Sequence, residues 1–528
     1  MSRIDAPSRR TFLSGAATLA AAGLLAHVPA HAQGAQAQGA HAQGARAEAP
    51  ARRGTLKIHL LGLDTSDPHR HTGSIAVQQV YAEGLTSIAD DGRALPYLAE
   101  SWSIEDGGKR YVFRIRDNVR FHNGRVMTAA DVKANAERVR DKVRGGWLSA
   151  PMRLVAGFEA PDARTFVMTM KEPYGPLLNL LSELWILAPE SEGWDQTIRT
   201  PIGTGPFRWG RWVPNEVFLA PAFEGYWQAG LPRVAAVEFS LRDLDDPTLA
   251  LRAGDLHIAR ARAAALPELA RDPAIEVQFM KDTSWFFWSF NNRSPRAPFD
   301  RVAVRQAITY AMDKPALMRL VAGEAGIVTN QMAAPGQFWF DKALHDADAH
   351  AKPDLDRARA MLRAEGVEPA RTPLRIVSWQ QDYAQAAAQA MRQLGFQVEH
   401  QALDDLGAQR RLNAYDWDLA PFASGPRADI FLRFVRMMSD GPNVGLWGGV
   451  RDPEFDRLVR AAVAAVDLAE RRRHYLAAWQ RAMDGYYTVV IGHAAEAIAN
   501  RREVTNWSPG FTWGANRADG GAGFARLG

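Results

Sequence analysis

A chain of 528 residues, 47% hydrophobic and 23% charged, is too long for one ordinary domain and has apolar material for more than one core. Its 63 basic and 59 acidic residues give a net charge of +4, with the two signs interspersed. That pattern excludes an electrostatic footprint for nucleic acid. With no cysteine, disulfides, thiolate metal sites, cysteine nucleophiles and iron–sulfur clusters are excluded as well.

The N-terminus reads as an export signal. Ser8-Arg-Arg-Thr-Phe-Leu13 is a twin-arginine pattern, Ala16 to Ala26 is an apolar run broken by Thr18 and Gly23, and Ala30-His-Ala32 offers small residues for cleavage. The run is too short for a permanent membrane helix. Residues 1–32 are therefore expected to be a twin-arginine signal peptide that sends a soluble chain, without a lipidated cysteine, to the periplasm. Residues 33–53, QGAQAQGAHAQGARAEAPARR, cannot bury enough surface to offset their ordering entropy and read as a disordered linker.

The folded part opens with an alternating strand at Leu56–Leu60, followed by a helix expected over Ile75–Leu85. Tyr111–Arg116 alternates as a strand, and Asn123-Gly124 turns the chain. Thr128-Ala-Ala-Asp131 is a capping-box variant ahead of a helix carrying Val132, Ala136 and Val139. Thr165–Met170 is another strand. From about residue 280 the pattern restarts with an aromatic strand, Trp285–Phe290, and helices over Asp300–Met312 and Asp356–Ala364. Leu374–Ser378, a helix to Leu394 and Gln397–His400 form a strand–helix–strand unit, and a helix pair follows at Pro453–Val466 and Ala469–Asp484. Such repetition argues for α/β lobes with partly parallel sheets and a ligand crevice between them.

Catalytic signatures are missing. There is no P-loop, H-E-x-x-H or G-x-S-x-G, and Gly203-Thr-Gly-Pro-Phe-Arg208 has Arg where a dinucleotide fingerprint needs its third Gly. His69 and His71 form a weak i,i+2 pair whose simpler reading is a solvated or hydrogen-bonded loop. What recurs instead is tryptophan, 16 in all, spread over both blocks. Its faces supply rigid contact area and stack on cations or planar groups.

Ordered strings then carry a resemblance. They are Asp67-Pro-His69, Val80-Tyr-Ala-Glu-Gly-Leu-Thr86, Asp91-Gly92, Pro96-Tyr-Leu-Ala-Glu-Ser-Trp102, Val119-Arg-Phe-His-Asn-Gly124, Pro201-Ile-Gly-Thr-Gly-Pro-Phe207, Gly225-Tyr-Trp227, Leu251-Arg-Ala-Gly-Asp255 and Phe290-Asn-Asn292, with Tyr310-Ala-Met-Asp313 last. Over residues 55–510 the chain resembles the extracellular solute-binding proteins of family 5, the peptide, opine and nickel receptors of ATP-driven importers. The resemblance implies a bilobed periplasmic-binding-protein fold (type II, cluster C-like), α/β, that closes about a hinge. Lobe I would be 54–283 with a subdomain inserted at about 95–195, lobe II 284–490, and 491–528 the return to lobe I. The chain would cross near Lys281–Trp285 and Val489–His493.

The resemblance also implies the partners: a small-molecule or peptide ligand and an inner-membrane permease, with the receptor a monomer that needs no cofactor and is not an enzyme. Peptide-binding members place an acid just ahead of a proline in lobe II. Here Gly425 precedes Pro426, with Asp418 and Asp429 on either side out of register. Arg427 in the same loop suits a carboxylate, held bidentately. The expected contacts are Trp285, Asn291, Trp379, Trp417 and Arg427, around a short peptide or peptide-like or opine compound. Nickel or a metal chelate is the alternative within the family, and a periplasmic hydrolase the alternative outside it.

Overall fold

Two long strands, Ile275–Phe290 and Thr488–Arg501, run antiparallel through the middle of an 11-stranded mixed sheet. The computed structural model describes residues 54–510 and 516–528, apart from 60–61, 72–75, 145–147, 402, 426, 428, 442–444 and 446. The expected signal peptide and linker lie outside the described residues. Pairing of the two long strands runs from Ile275↔Arg501 to Phe279↔Ala497, breaks, and resumes at Thr283↔Ala495. This irregularity leaves three residues of one strand opposite one of the other, a bulge that bends the ladder.

The break divides the molecule. On one side Thr55–His59 lies parallel to both Ala236–Ser240 and Ile258–Ala261, and the latter pairs with Thr488–Arg501 only beyond the break, from Ile258↔Asn500 to Ala261↔Ala497. On the other, Leu419–Ser424 pairs with Trp285–Phe290, and Pro373–Ile376 runs parallel to Gln397–His400 across the helix Gln381–Gln393. The strand–helix–strand unit is thus a right-sized parallel crossover of the kind expected. Each side has its own apolar cores, one around Ile58, Phe218 and Phe239, the others around Trp288, Ile308 and Leu374 and around Trp285, Phe287 and Trp417.

A separate four-stranded antiparallel sheet, Ala99–Glu105, Arg110–Ile115, Thr165–Met170 and Val155–Glu159, builds on the first side. Tyr111, Phe113 and Phe166 are fully buried there and stack at 6.0–6.4 Å between centroids. The helix Ala129–Asp141 covers this core, and the capping box forms as read: the Thr128 amide donates to Asp131 Oδ2 at 2.8 Å. Arg125 clamps the same carboxylate at 2.8 and 3.0 Å, and the Phe121–Gly124 turn takes Gly124 to φ +88.

The helix expected over 75–85 is not what the chain forms. From Gln78 it makes a single 3-10 turn to Val80 and then a short strand, Glu83–Gly84, paired with Trp185–Ile186. Ala76, Val77, Val80, Tyr81, Ala82 and Leu85 are all buried, so the segment has no solvent face for an amphipathic helix to present. Its apolar spacing came from burial on every side.

Candidate ligand site between the lobes

In the second lobe, Ser424 stands opposite Trp285, so the loop beginning at Gly425 leaves the sheet at the end nearest the crossing strands. Beneath that loop Trp285, Phe287 and Trp447 stack into a buried aromatic slab with centroids 4.3–5.4 Å apart, each ring pair adding about 0.5–1.5 kcal/mol beyond its buried area. Two guanidiniums lie over the slab: Arg433 is 5.7 Å from the Trp285 ring and Arg436 5.4 Å from Trp447. Arg433 is held by the Thr283 carbonyl at 2.9 Å and by the Met332 carbonyl. Burial, and then the charges of Arg427 and Arg433, pull the Arg436 guanidinium down to about 10. Arg427, Arg433 and Arg436 thus form a cluster of like charge, with Arg427 and Arg436 only partly covered.

The first lobe answers with an acid. Glu183 ends the turn Leu181–Glu183, its side chain is 20% exposed, and His71 Nε2 lies 3.8 Å from its Oε2. Burial raises the Glu183 carboxyl to about 7 against the pull of Arg427, and burial lowers His71 to about 4, leaving it neutral at pH 7. The turn is fixed from below. A Cβ on Gly84 would stand 2.2 Å from the Ser182 carbonyl oxygen, so only glycine lets the two backbones meet.

The lobes touch beside this site. The Gly175 amide donates to the Val463 carbonyl at 2.7 Å, and Arg471 Nη1 donates to the Gly175 carbonyl at 2.9 Å. Arg471 Nη2 also donates to Asp429 Oδ1 at 2.5 Å, both side chains being at most 1% exposed. Tyr174 meets Phe431 edge-on at 5.9 Å, and the Phe338 amide donates to the Asp91 carbonyl at 2.9 Å.

Comparison with known proteins places this architecture. The model for the middle region of the bacterial extracellular solute-binding proteins, family 5, matches residues 93–443. The chain belongs to this family. It is 29% identical over 266 residues to the glutathione-binding protein GsiB of Escherichia coli K12, an alignment covering 48% of this chain and 51% of that one. The chain thus spans about half the length of the curated relatives it matches. Among solved structures, AgaA of A. tumefaciens R10 in complex with agropinic acid superposes with a TM-score of 0.71 at 23% identity, over 90% of this chain and 99% of that one. NikZ of Campylobacter jejuni with Ni(L-His) gives 0.71 at 19% identity over 89% and 97%. These likenesses establish the bilobed α/β fold of family 5 receptors.

Seen in the fold, the family strings knot to one another. Glu83 accepts from Tyr226 Oη at 2.7 Å and from Trp227 Nε1 at 3.2 Å, joining two of them. His122 binds the Gly205 carbonyl at 3.0 Å, and a Cβ on Gly203 would stand 1.8 Å from the Tyr81 carbonyl oxygen. Asp67, buried, takes both guanidinium nitrogens of Arg138 at 2.6 and 3.1 Å, and Arg138 also donates to His69 Nδ1 at 2.7 Å. With Nδ1 accepting, the His69 proton sits on Nε2 and donates to the Trp185 carbonyl at 2.7 Å. His69 is thus the hydrogen-bonded loop histidine of the simpler reading, and both His69 and His71 are buried.

Of the five side chains expected to meet ligand, Trp379 and Arg427 stay partly open, Trp379 resting on Phe422 at 4.6 Å. Trp285 is fully buried as the floor of the slab. Asn291 and Trp417 lie at the other end of the strand pair, where Phe290 faces Leu419, six residues and roughly 20 Å from Trp285. Asn291 spends its amide on the Tyr415 and Trp417 carbonyls at 2.8 and 2.9 Å, and Trp417 Nε1 donates to the Leu412 carbonyl at 3.2 Å. Glu183 and Arg436 had no motif to announce them, whereas His71 was visible as half of the weak pair with His69. Among the described residues no group of three or more His, Asp or Glu stands together to hold a metal.

Burial of these groups sets an acid limit on stability. His69, His71, His122 and His350 are each lowered to about 4 and His493 to about 3, chiefly by burial. The unfolded chain therefore takes up five protons below its ordinary histidine value of 6.5 that the folded chain refuses. Burial also raises Glu83, Glu183 and Glu496 to about 7, so the folded chain binds three protons before the unfolded chain does. The opposing effects nearly cancel close to pH 7, and the histidines win below about pH 6. Calorimetric melting between pH 7.5 and 5 is expected to show a plateau and then a falling melting temperature; a rise on acidification would contradict the assignment.

Proposed function

We propose that this chain is the periplasmic receptor of an ABC importer, capturing a small carboxylate-bearing organic solute by hinge closure and passing it to an inner-membrane permease. The observation that carries the ligand class is the pull of Arg427 on one lobe on Glu183 of the other, with Arg436 beside Arg427. Two guanidiniums suit carboxylates and one acid suits an ammonium, the charge pattern of a short peptide or a peptide-like or opine compound. The relatives support that class: one is named for glutathione and another was solved with agropinic acid. Binding rather than turnover is the reading, because the family consists of solute-binding proteins.

The test is thermal shift and titration calorimetry with glutathione, dipeptides, an opine, free Ni²⁺ and a nickel–histidine chelate. Stabilisation by carboxylate-bearing compounds is expected; a response to the nickel species alone, or hydrolysis of the added peptides, would replace the reading. Arg427→Ala is expected to weaken the bound compound roughly 10- to 150-fold, the worth of a charge-assisted hydrogen bond of about 1.5–3 kcal/mol. Unchanged affinity would remove Arg427 from the site.

Export by the twin-arginine route, as a soluble chain without a lipid anchor, belongs to the same proposal and rests on Arg9-Arg10 ahead of the apolar run. Replacing both arginines by lysine should leave the chain in the cytoplasm, and undiminished periplasmic recovery would point to another route.

A further inference from the structure

The second lobe holds a cavity of about 440 Å³ that takes no part in the contact between the lobes. It lies between the helices Val302–Tyr310 and Leu468–Asp484 and the start of the strand Thr488–Arg501, seven residues and more than about 20 Å from Ala495 at the crossing. Its size falls in the range of small-molecule pockets, which combine apolar walls with a few fixed polar groups. Trp479 and Tyr486 line it, the exposed Asp484 at its rim accepts from Gln480 Nε2 at 2.8 Å, and among the other polar side chains that reach it are Lys314, Asn330 and His350.

Each of the three has hydrogen-bonding capacity left over. Lys314, 1% exposed, gives one N–H to Asp348 Oδ2 at 2.7 Å, which neutralises its charge and leaves two N–H donors. Asn330, 8% exposed, donates to the Leu344 carbonyl at 2.9 Å, while its Oδ1 is buried with no partner among the described residues. His350 Nε2 lies 2.8 Å from Tyr486 Oη, and its Nδ1 is likewise buried with no partner among the described residues. Gln306 also hydrogen-bonds the Tyr486 hydroxyl. A neutral imidazole has one donor and one acceptor nitrogen, so Nδ1 offers a ligand an unused donor or acceptor according to the tautomer.

Donors and an acceptor share the cavity, the one buried cation is already matched, and aromatic faces form part of the wall. Hydroxyl groups both give and accept, so one molecule bearing several could satisfy all three side chains without bringing in a charge. We propose that this cavity is a second ligand site, for a neutral polyhydroxylated molecule of about monosaccharide size, held by Lys314, Asn330 and His350 against Trp479 and Tyr486.

Titration calorimetry of the full chain with D-glucose, myo-inositol and glycerol tests it. At least one of the three should bind saturably in the millimolar range or tighter. Asn330→Leu and His350→Phe should each weaken that binding about 10-fold, whereas Arg427→Ala should leave it unchanged. Should Asn330→Leu fail to fold, as judged by its melting curve, His350→Phe retains a ring of similar shape and carries the comparison. No binding by any of the three probes would overturn the proposal, the cavity then holding water only. Binding that survives both substitutions, or that Arg427→Ala abolishes, would overturn it by placing the polyol elsewhere.

Discussion

Gly175→Ala is expected to leave both lobes folded but unable to meet, with ligand affinity falling at least about 10-fold. A Cβ at this position would stand 2.2 Å from the Ala465 carbonyl oxygen and 3.2 Å from Arg471 Cδ. The first of these is backbone, fixed just past the helix Pro453–Ala464, so it cannot swing aside as the tip of a long side chain would. Two hydrogen bonds made by the same residue, to Val463 and from Arg471, would lengthen as the backbones separate. Overpacking in a close contact costs about 1–3 kcal/mol. Here the strain is felt only when the lobes meet, so it should tax closure and spare the fold. Calorimetry and solution scattering separate the two effects: an unchanged melting temperature without ligand, weaker binding, and a larger radius of gyration in the presence of ligand. Affinity and compactness equal to those of the parent chain would show that this contact is not part of the bound state.

How far the fold could be read in advance follows from where each signal arises. The capping box at Thr128, the parallel unit from Pro373 to His400 and the helix pair after Pro453 were legible because periodicity, caps and turns are local. Segment 76–85 was misread because burial on all sides leaves an apolar spacing that mimics one face of a helix. The candidate site was harder for a related reason. Arg427 was visible as a loop arginine beside the position where peptide binders carry an acid. Glu183 is one acid in a leucine-rich stretch, and only the fold brings it within the pull of Arg427. Asn291 and Trp417 looked like strand-end contacts, and they are strand-end residues, but at the end away from the crossing. A strand's direction through a sheet is a long-range property, and no local pattern states it.

Arg471→Met is expected to lower the melting temperature by roughly 6–20 °C, the equivalent of about 3–5 kcal/mol in a lobe of this size. Arg471 and Asp429 are a buried pair, and the carboxylate also accepts the Phe431 amide at 2.8 Å. Methionine keeps much of the volume that the arginine packs against Trp339 and Tyr475, whose rings lie 4.9 and 5.5 Å from its guanidinium carbon. What it removes is the countercharge, leaving an uncompensated carboxylate in the interior. Adding Asp429→Leu should then restore most of the stability, since a buried ion pair replaced whole by apolar groups is often neutral or better. Ligand affinity should not return with it, because the double variant still lacks the hydrogen bond from Arg471 to Gly175 across the lobes. Recovery of stability without recovery of affinity would separate the two duties of this arginine, pairing within its own lobe and latching the other. A double variant as unstable as the single one would instead mean that Arg471 acts through packing.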